Sequence, residues 1–483
     1  MTTNNSKSDH ASLPIHTLHP VILPDQPPIP KLHHKLETVI ENQGLHLLRN
    51  KNTYYFDKRL EKIHQPNDID MNALSPFVTS SRDVNLNKLA IQHGCTYKCS
   101  TSSISPVLVP IFMMLTKFKS TNSRNLFSFD LLKSNYSPSV TKPNIFMLRR
   151  DPIQKQIFSI DSQHVNFIAP NNHILMELGK SLEKLLVMDY SNFEHEFLKI
   201  NQKHHRARIV TPDTYRFLNV GKFIMRSQLD CVHHAVDGQE VVFDIKTRAT
   251  HKIRTSMFQP NLWKRYTGSK PSDILGANNS YEREFYDMVR GAFLKYGVQA
   301  RIGAMGGIFV AYHNTKEMLA FEHIKLSEID EYTFGSSHMA NHHFGMATSI
   351  LEKMLDLITT NHPDWKTYHV LMGAKWNDSV RVFVNHKVND LGWSEMKRSD
   401  SHQLPSFLEI VSDPSAAFAK YEELNLNTAV VYEISAKVIV NGNERRQFVY
   451  YDENDVIDLQ YKIEHVGDTS NATLLGEYKS LLK

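Results

Sequence analysis

Apolar residues recur at helical spacing most clearly in NNHILMELGKSLEKLLVM (171–188), where Ile174, Leu175, Leu178, Leu182, Leu185 and Leu186 gather on one stripe. That pattern predicts an amphipathic helix. A second is predicted over SYEREFYDMVRGAFLKYG (280–297), with Tyr281, Phe285, Met288, Val289, Ala292 and Phe293 towards the core. Earlier in the chain, Ser105 and Pro106 read as the N-cap and first residue of a helix through VLVPIFMMLTKF. A further helix is expected around 339–360.

Elsewhere the apolar runs shorten to strand length. IFMLRRD (145–151), TYRFLNVGKFIMR (214–226), SQLDCVHH (227–234), EVVFDIKTR (240–248) and GIFVAYHN (307–314) read as strands. YHVLMGA, SVRVFVNH, AVVYEISAKVIV and QFVYYD continue the pattern towards the C-terminus. Asp237-Gly238 marks a hairpin between SQLDCVHH and EVVFDIKTR. From residue 171 the order is therefore helix, strand, strand, strand, helix, strand. Residues 1–30, rich in Asn, Ser and Pro, read as a disordered leader. The remainder divides into an N-terminal α/β region (31–165), a core (166–320), a C-terminal α/β extension (321–460) and a tail (461–483). No internal repeat is found.

Composition narrows the class. With 483 residues, 41% hydrophobic and 22% charged, the chain has material for a substantial core. A net charge of +4 excludes a global polycation, so any nucleic-acid contact must come from local patches. Three cysteines argue against a disulfide framework or zinc ribbon. No run reaches the ~18 apolar residues of a membrane span. The N-terminus offers neither a secretory signal nor a convincing mitochondrial presequence: Lys7 is the only lysine or arginine before Lys31.

The chemistry lies in VVFDIK. Residues two apart in a strand share a face, so Asp244 and Lys246 point together while Phe243 and Ile245 point into the core. Across the predicted hairpin, Asp230 comes within reach of Asp244. Two carboxylates that close repel unless one holds a proton or a divalent cation lies between them. Hard oxygen ligands suit Mg2+ or Mn2+. A lysine beside them holds or helps deprotonate an attacking water and stabilises charge on a phosphate. Together these groups make a phosphodiester-hydrolysing set. A bare D-x-K is weak evidence, since Asp364-x-Lys366, Glu395-x-Lys397 and Glu477-x-Lys479 also occur. The competing reading is a surface salt bridge on an edge strand. The element order, with the acid and the D-x-K on the second and third strands, resembles the PD-(D/E)XK, restriction-endonuclease-like core, an α/β fold carrying N- and C-terminal extensions here. Such cores usually add an acid from the first helix. Periodicity does not choose between Glu177 and Glu183. The Gly179-to-Glu183 spacing resembles that of the exonuclease branch, which favours Glu183.

The segment KTRATHKIRTSMFQPNLWKRYTGSK (246–270) holds Lys246, Arg248, Lys252, Arg254, Lys264, Arg265 and Lys270 and no acid, with Phe258, Trp263 and Tyr266 interleaved. Cations for phosphates and rings for bases suit single-stranded nucleic acid; a solvated basic face is the alternative. Arg283 and Arg290 fall on nearly one side of their helix and could hold a phosphate, or pair with Glu282, Glu284 or Asp287. QKHHRARIV (202–210) is a weaker basic cluster. His338-x-x-x-His342 has zinc-helix spacing without the glutamate of H-E-x-x-H and is read as a decoy. Cys95-x-x-x-Cys99 lacks the other half of any zinc module, and His233-His234, close to Asp230, either line the site or hold an ordinary strand-end position.

VTSSRD (78–83), STSSIS (100–105), LGKSLEKLL (178–186), QLDC (228–231), FDIKTRA (243–249), EREFYDMVRGAFLKYGVQARIG (282–303) and GIFVAYHNT (307–315) carry a wider likeness. Over about residues 28–460 the chain resembles the fungal mitochondrial RNA-processing and mRNA-degradation family named for a yeast petite mutant. The resemblance implies a mitochondrial 5′ exoribonuclease that trims or degrades single-stranded, 5′-monophosphorylated RNA. It also implies association with the mitochondrial RNA polymerase and the inner membrane. Asp230, Asp244, Lys246 and Glu183 fall on catalytic positions, and Asp230, Asp244, Glu183 and Ile245 on those of the metal. Two other classes stay open: a non-catalytic RNA-binding or polymerase-associated factor, and a DNA exonuclease of the same fold.

Overall fold

Two sheets organise the chain, each with its apolar face against helices. The computed structural model describes residues 10–482, apart from 124–126, 130–132, 163–169, 205–211, 235–237, 257–258, 376–377, 387–428 and 445–446. The larger sheet has 12 strands. Eleven run in the order Ala11–Leu13, Ile457–Asp468, Val430–Val440, Ser379–Asn385, Thr367–Lys375, Asn144–Arg150, Phe158–Ser162, Tyr97–Ser100, Phe223–Leu229, Thr214–Val220, His19–Val21. Asn443–Glu444 pairs off this path with Val430–Val440.

The two edge strands are separated in sequence only by residues 14–18. The Cα steps from Leu13 to His19 reach roughly 20 Å. Laid flat, the strands between those edges would span roughly 48 Å. The sheet must therefore curl until its edges approach. Helices Thr101–Leu115 and Ser337–Asn361 share its core, through residues such as Leu108, Phe112, Phe344 and Leu351. Residues 14–18 run over the second helix: Ser349 Oγ donates to the Pro14 carbonyl at 2.8 Å and accepts from the His16 amide at 3.1 Å. Gly345 is required there, because a Cβ would overlap the His16 carbonyl oxygen. The expected disordered leader is thus a structured strap from residue 10 onward.

The helix expected to start at Ser105 starts at Thr101, with Ser100 and Ser103 forming a reciprocal cap. Pro106 lies inside it. A proline cannot donate to the carbonyl four residues back, and Ser162 Oγ takes that role by donating to Ser102 O at 3.1 Å.

The smaller sheet runs Cys231–His234, Glu240–Ala249, Gly307–His313, Met318–Lys325, Gly44–Leu47. Glu240–Ala249 and Gly307–His313 are parallel, so a crossover must join them. Helices Tyr281–Gly291 and Phe293–Ile302 supply it; the expected single helix is broken at Ala292 (φ −137°, ψ −36°). Met288, Val289 and Phe293 cover one face with Ile308, Val310 and Tyr312. Leu178, Leu182 and Leu185 of helix Pro170–Leu186 cover the other, against Phe243, Ile245 and Phe309.

Several expectations change. TYRFLNVGKFIMR is a hairpin turning at Gly221 (φ +53°), not one strand. SQLDCVHH divides at Asp230, with Phe223–Leu229 in the large sheet and Cys231–His234 in the small one. Between helix Pro170–Leu186 and helix Tyr281–Gly291 the described chain therefore forms four strands rather than the expected three, divided between two sheets. QFVYYD is not a strand; Ile457–Asp468 is, reaching into the expected tail. The N-terminal, core and C-terminal regions interleave in one sheet, so the boundaries at 165, 320 and 460 do not separate its strands.

The strap makes Gly345 a sensitive position. Gly345→Ala is expected to destabilise the protein by about 1–3 kcal/mol through overpacking, read as a lower urea midpoint; an unchanged midpoint would mean the strap does not lie on this helix.

Candidate active site

Strand register assembles the acids. Cys231 pairs with Phe243, which sets Asp230, at the break between the two sheets, beside Asp244. Asp230 Oδ2 accepts the Ile245 amide at 2.9 Å. Phe243 and Ile245 lie in the core, so Asp244 and Lys246 share the opposite face. Asp244 is only 7% exposed. Its Oδ2 lies 2.6 Å from Lys246 Nζ, an ion contact whose direction misses hydrogen-bond geometry and leaves that oxygen without a directed donor. Lys246 Nζ also stands 5.3 Å from the ring centre of Tyr296, a residue that the sequence pattern did not single out.

Helix Pro170–Leu186 brings in the third carboxylate. A Cβ on Gly179 would lie 3.1 Å from Thr247 Oγ1, so this small residue lets the helix close on the D-x-K strand. One turn later Glu183 reaches the field of Lys246 and Asp244. Glu183 is thereby a helix acid coupled to this cluster.

Burial pushes the Glu183 carboxyl up to about 7; Asp244 adds to this and Lys246 opposes it. Burial also raises Asp230 well above the usual carboxylate range, reinforced by Asp244 and Glu183. For Lys246, burial alone would lower the ammonium, but Asp244, Asp230 and Tyr296 outweigh it and hold it above its ordinary value. The ammonium therefore keeps its proton at neutral pH. In that form it can donate to a phosphate or hold and orient a water.

These residues suit a hard divalent cation. The donors are carboxylate oxygens, two of the acids are crowded into holding protons, and Asp244 Oδ2 has no directed donor. Among the described residues no three potential ligands already stand at metal-holding spacing. Asp244 is turned onto Lys246 and Asp230 onto an amide, so loading would require Asp244 to release the lysine. The side chain of Ile245 is 1% exposed in the core, which leaves its main-chain carbonyl as its only metal donor.

The basic residues divide. Glu284 and Asp287, from helix Tyr281–Gly291, fold back on the acid-free stretch. Arg248 Nε lies 3.5 Å from Glu284 Oε2, Arg254 pairs with both acids, and Arg283 Nε meets Asp287 Oδ1 at 3.0 Å. Arg290 donates to Asn135 O at 2.7 Å. Those four arginines are engaged within the fold. Lys264 and Arg265 stand exposed on helix Pro260–Tyr266, and Lys252 is half-buried. Trp263 is buried with Ala249 and Ile253 rather than offered as a stacking face. Phe258, Asp237 and the part of QKHHRARIV from residue 205 on lie outside the described residues. Cys95 and Cys99 are buried free thiols, and Glu477 of a decoy D/E-x-K is paired with Lys375 and Arg381.

Fold and cluster define a mixed α/β protein with a buried acid–lysine centre. The family model described as mitochondrial protein Pet127 matches residues 77–356. A Schizosaccharomyces pombe protein named "mRNA degradation protein pet127, mitochondrial" is 32% identical over 92% of this chain and 82% of its own length. The chain thus belongs to the family of the mitochondrial protein Pet127, and its compartment is the mitochondrion. Saccharomyces cerevisiae PET127, provisionally named as a component of the mitochondrial translation system, is 33% identical over 60% of this chain and 34% of its own length. Among solved structures, K. lactis Dxo1 in complex with manganese aligns with TM-score 0.37 at 11% identity, over 79% of this chain and 91% of that one. Scheffersomyces stipitis Rai1 aligns with TM-score 0.35 at 12% identity, over 70% and 79%. Both scores are too low for the likeness to bear on function.

A raised carboxyl makes the folded state bind protons that the unfolded chain has already lost, so stability falls as pH rises between the two pKa values. For Glu183 that window runs from the ordinary 4.5 to about 7. In EDTA-treated protein, Glu183→Gln is expected to flatten the loss of thermal stability across that window; an unchanged slope would show that Glu183 lies outside the cluster.

Proposed function

We propose that the chain is a divalent-metal-dependent 5′ exoribonuclease of the PD-(D/E)XK type, acting in mitochondrial RNA 5′-end processing and mRNA degradation. The observation that supports this reading is that Asp244 lies against Lys246, Asp230 takes the neighbouring Ile245 amide, and Glu183 is electrostatically coupled to the same group. The name of the Schizosaccharomyces pombe relative supports RNA decay as the process. The 5′ direction, the preference for 5′-monophosphorylated single strands, and contacts with the RNA polymerase and the inner membrane rest on the family resemblance. No helix among the described residues is long and apolar enough to cross a membrane.

Asp230, Asp244 and Glu183 would hold Mg2+ or Mn2+, with the Ile245 carbonyl as a further donor. Once bound, the ion supplies charge neutralisation and an acidified water. Lys246, fixed as an ammonium by Asp244 and Tyr296, orients the phosphate and stabilises negative charge as it develops there. Phe243 and Ile245 keep the strand rigid from behind. Lys252, Lys264 and Arg265 are the cations that meet the RNA backbone. Arg248, Arg254 and Arg283 serve substrate indirectly, by fixing with Glu284 and Asp287 the segment that presents those cations, and Arg290 holds the Asn135 loop.

Purified protein offered 5′-monophosphorylated RNA, 5′-triphosphorylated RNA and single-stranded DNA tests the assignment. Magnesium-dependent decay of the monophosphorylated RNA is expected, reduced at least about 100-fold in Asp244→Asn and abolished by EDTA. Undiminished decay in that variant, or none in the wild type, would leave a non-catalytic RNA-binding factor as the reading; preference for DNA would make it a DNA exonuclease. Lys264→Ala with Arg265→Ala is expected to weaken RNA binding and shallow its salt dependence by about two charges, as measured by fluorescence anisotropy; equal affinity would make these residues a solvated face.

A further inference from the structure

A second group of potential ligands lies where helix Ser337–Asn361 begins. The helix start and residues 450–454 enclose a cleft of about 490 Å³, with Gly335, His338, Met339, Tyr450 and Asp452 among its walls. His338 and His342 are one turn apart, their rings 4.3 Å between centres. Tyr451 packs against both, at 6.0 and 5.8 Å. Within this packing His338 Nε2 and His342 Nδ1 are buried and have no hydrogen-bond partner among the described residues. The adjacent His343 behaves differently: its Nδ1 lies 2.7 Å from the Met339 carbonyl and 3.3 Å from the Tyr451 hydroxyl. The fold uses that third ring and leaves the first two with open nitrogens.

Buried ring nitrogens are normally satisfied, so a pair without partners beside a cleft calls for an occupant. We propose that His338 and His342 bind a borderline divalent cation of the zinc class, completed by Asp452 or Glu453 on the cleft wall and by solvent. Imidazoles one turn apart on a helix can reach one ion at Zn–N distances of about 2.0–2.1 Å. Nitrogen donors favour such ions over Mg2+, which separates this site from the carboxylate cluster. Since no three ligands are already assembled among the described residues, the third donor would come from the 452–453 carboxylates as the ion binds. The bound ion would pin residues 450–454 to the start of the helix whose later turns carry the N-terminal strap.

The test uses the full chain, stripped with EDTA and kept in excess MgCl2 so that the carboxylate cluster does not compete. Titration with ZnCl2 by calorimetry should show one equivalent bound to the wild type, weakened more than about tenfold in His338→Ala and in His342→Ala. His342→Gln, closer to histidine in volume, should lose the same equivalent and guards against a folding failure, which far-UV circular dichroism would reveal. ZnCl2 should also raise the wild-type melting temperature beyond the effect of MgCl2, and leave the His338→Ala/His342→Ala double variant unmoved. Zinc uptake and melting shift equal in the wild type and the double variant, or no uptake by the wild type, would overturn the proposal and leave water as the occupant of the cleft.

Discussion

Everything at the acid–lysine centre follows from burying a carboxylate on a strand, on the face opposite Phe243 and Ile245. Asp244 is 7% exposed within VVFDIK, and an isolated buried charge is strongly unfavourable. The structure answers it with Lys246 at 2.6 Å, but the surrounding Asp230 and Glu183 add more negative charge than one ammonium neutralises. Protons make up the difference, which is why burial and mutual repulsion drive both of those carboxyls upward. A cluster arranged this way stabilises the fold poorly. It suits a site that takes up a cation and exchanges protons for it.

The architecture serves this arrangement. Asp230 sits where the chain passes from the curled twelve-strand sheet to the five-strand sheet, so movement between the sheets would shift one acid relative to the other two. The strap of residues 14–18 crosses Ser337–Asn361 and ties together the edges of the larger sheet. Around the exit of the D-x-K strand, the Glu284/Asp287 pair holds Arg248, Arg254 and Arg283. These arginines act first as struts, and the exposed Lys264 and Arg265 remain to face a polyanion.

Much of the centre was legible because strand alternation alone separates Phe243 and Ile245 from Asp244 and Lys246, and Gly179 marked the approach of the helix. Local signals also fixed the existence of most helices and strands. What they could not carry was tertiary: that SQLDCVHH is shared between two sheets, that a proline-rich leader supplies both edges of one sheet, and that acids from a distant helix neutralise an acid-free segment. The start of the 101–115 helix was displaced because Pro106 looked like a first residue; the Ser162 hydroxyl, remote in sequence, supplies the donor that the proline lacks. The D-x-K pattern places Lys246 beside Asp244, and the nearby carboxylates, which no local pattern counts, raise its affinity for a proton.

Carboxyls that seat a metal must give up their protons as it binds. Calorimetric titration of EDTA-treated protein with MnCl2 near pH 7, in two buffers of different ionisation enthalpy, measures that release directly. Saturable binding accompanied by proton release is expected, with both lost in Asp230→Asn. Binding without proton release, or binding unchanged in that variant, would contradict it.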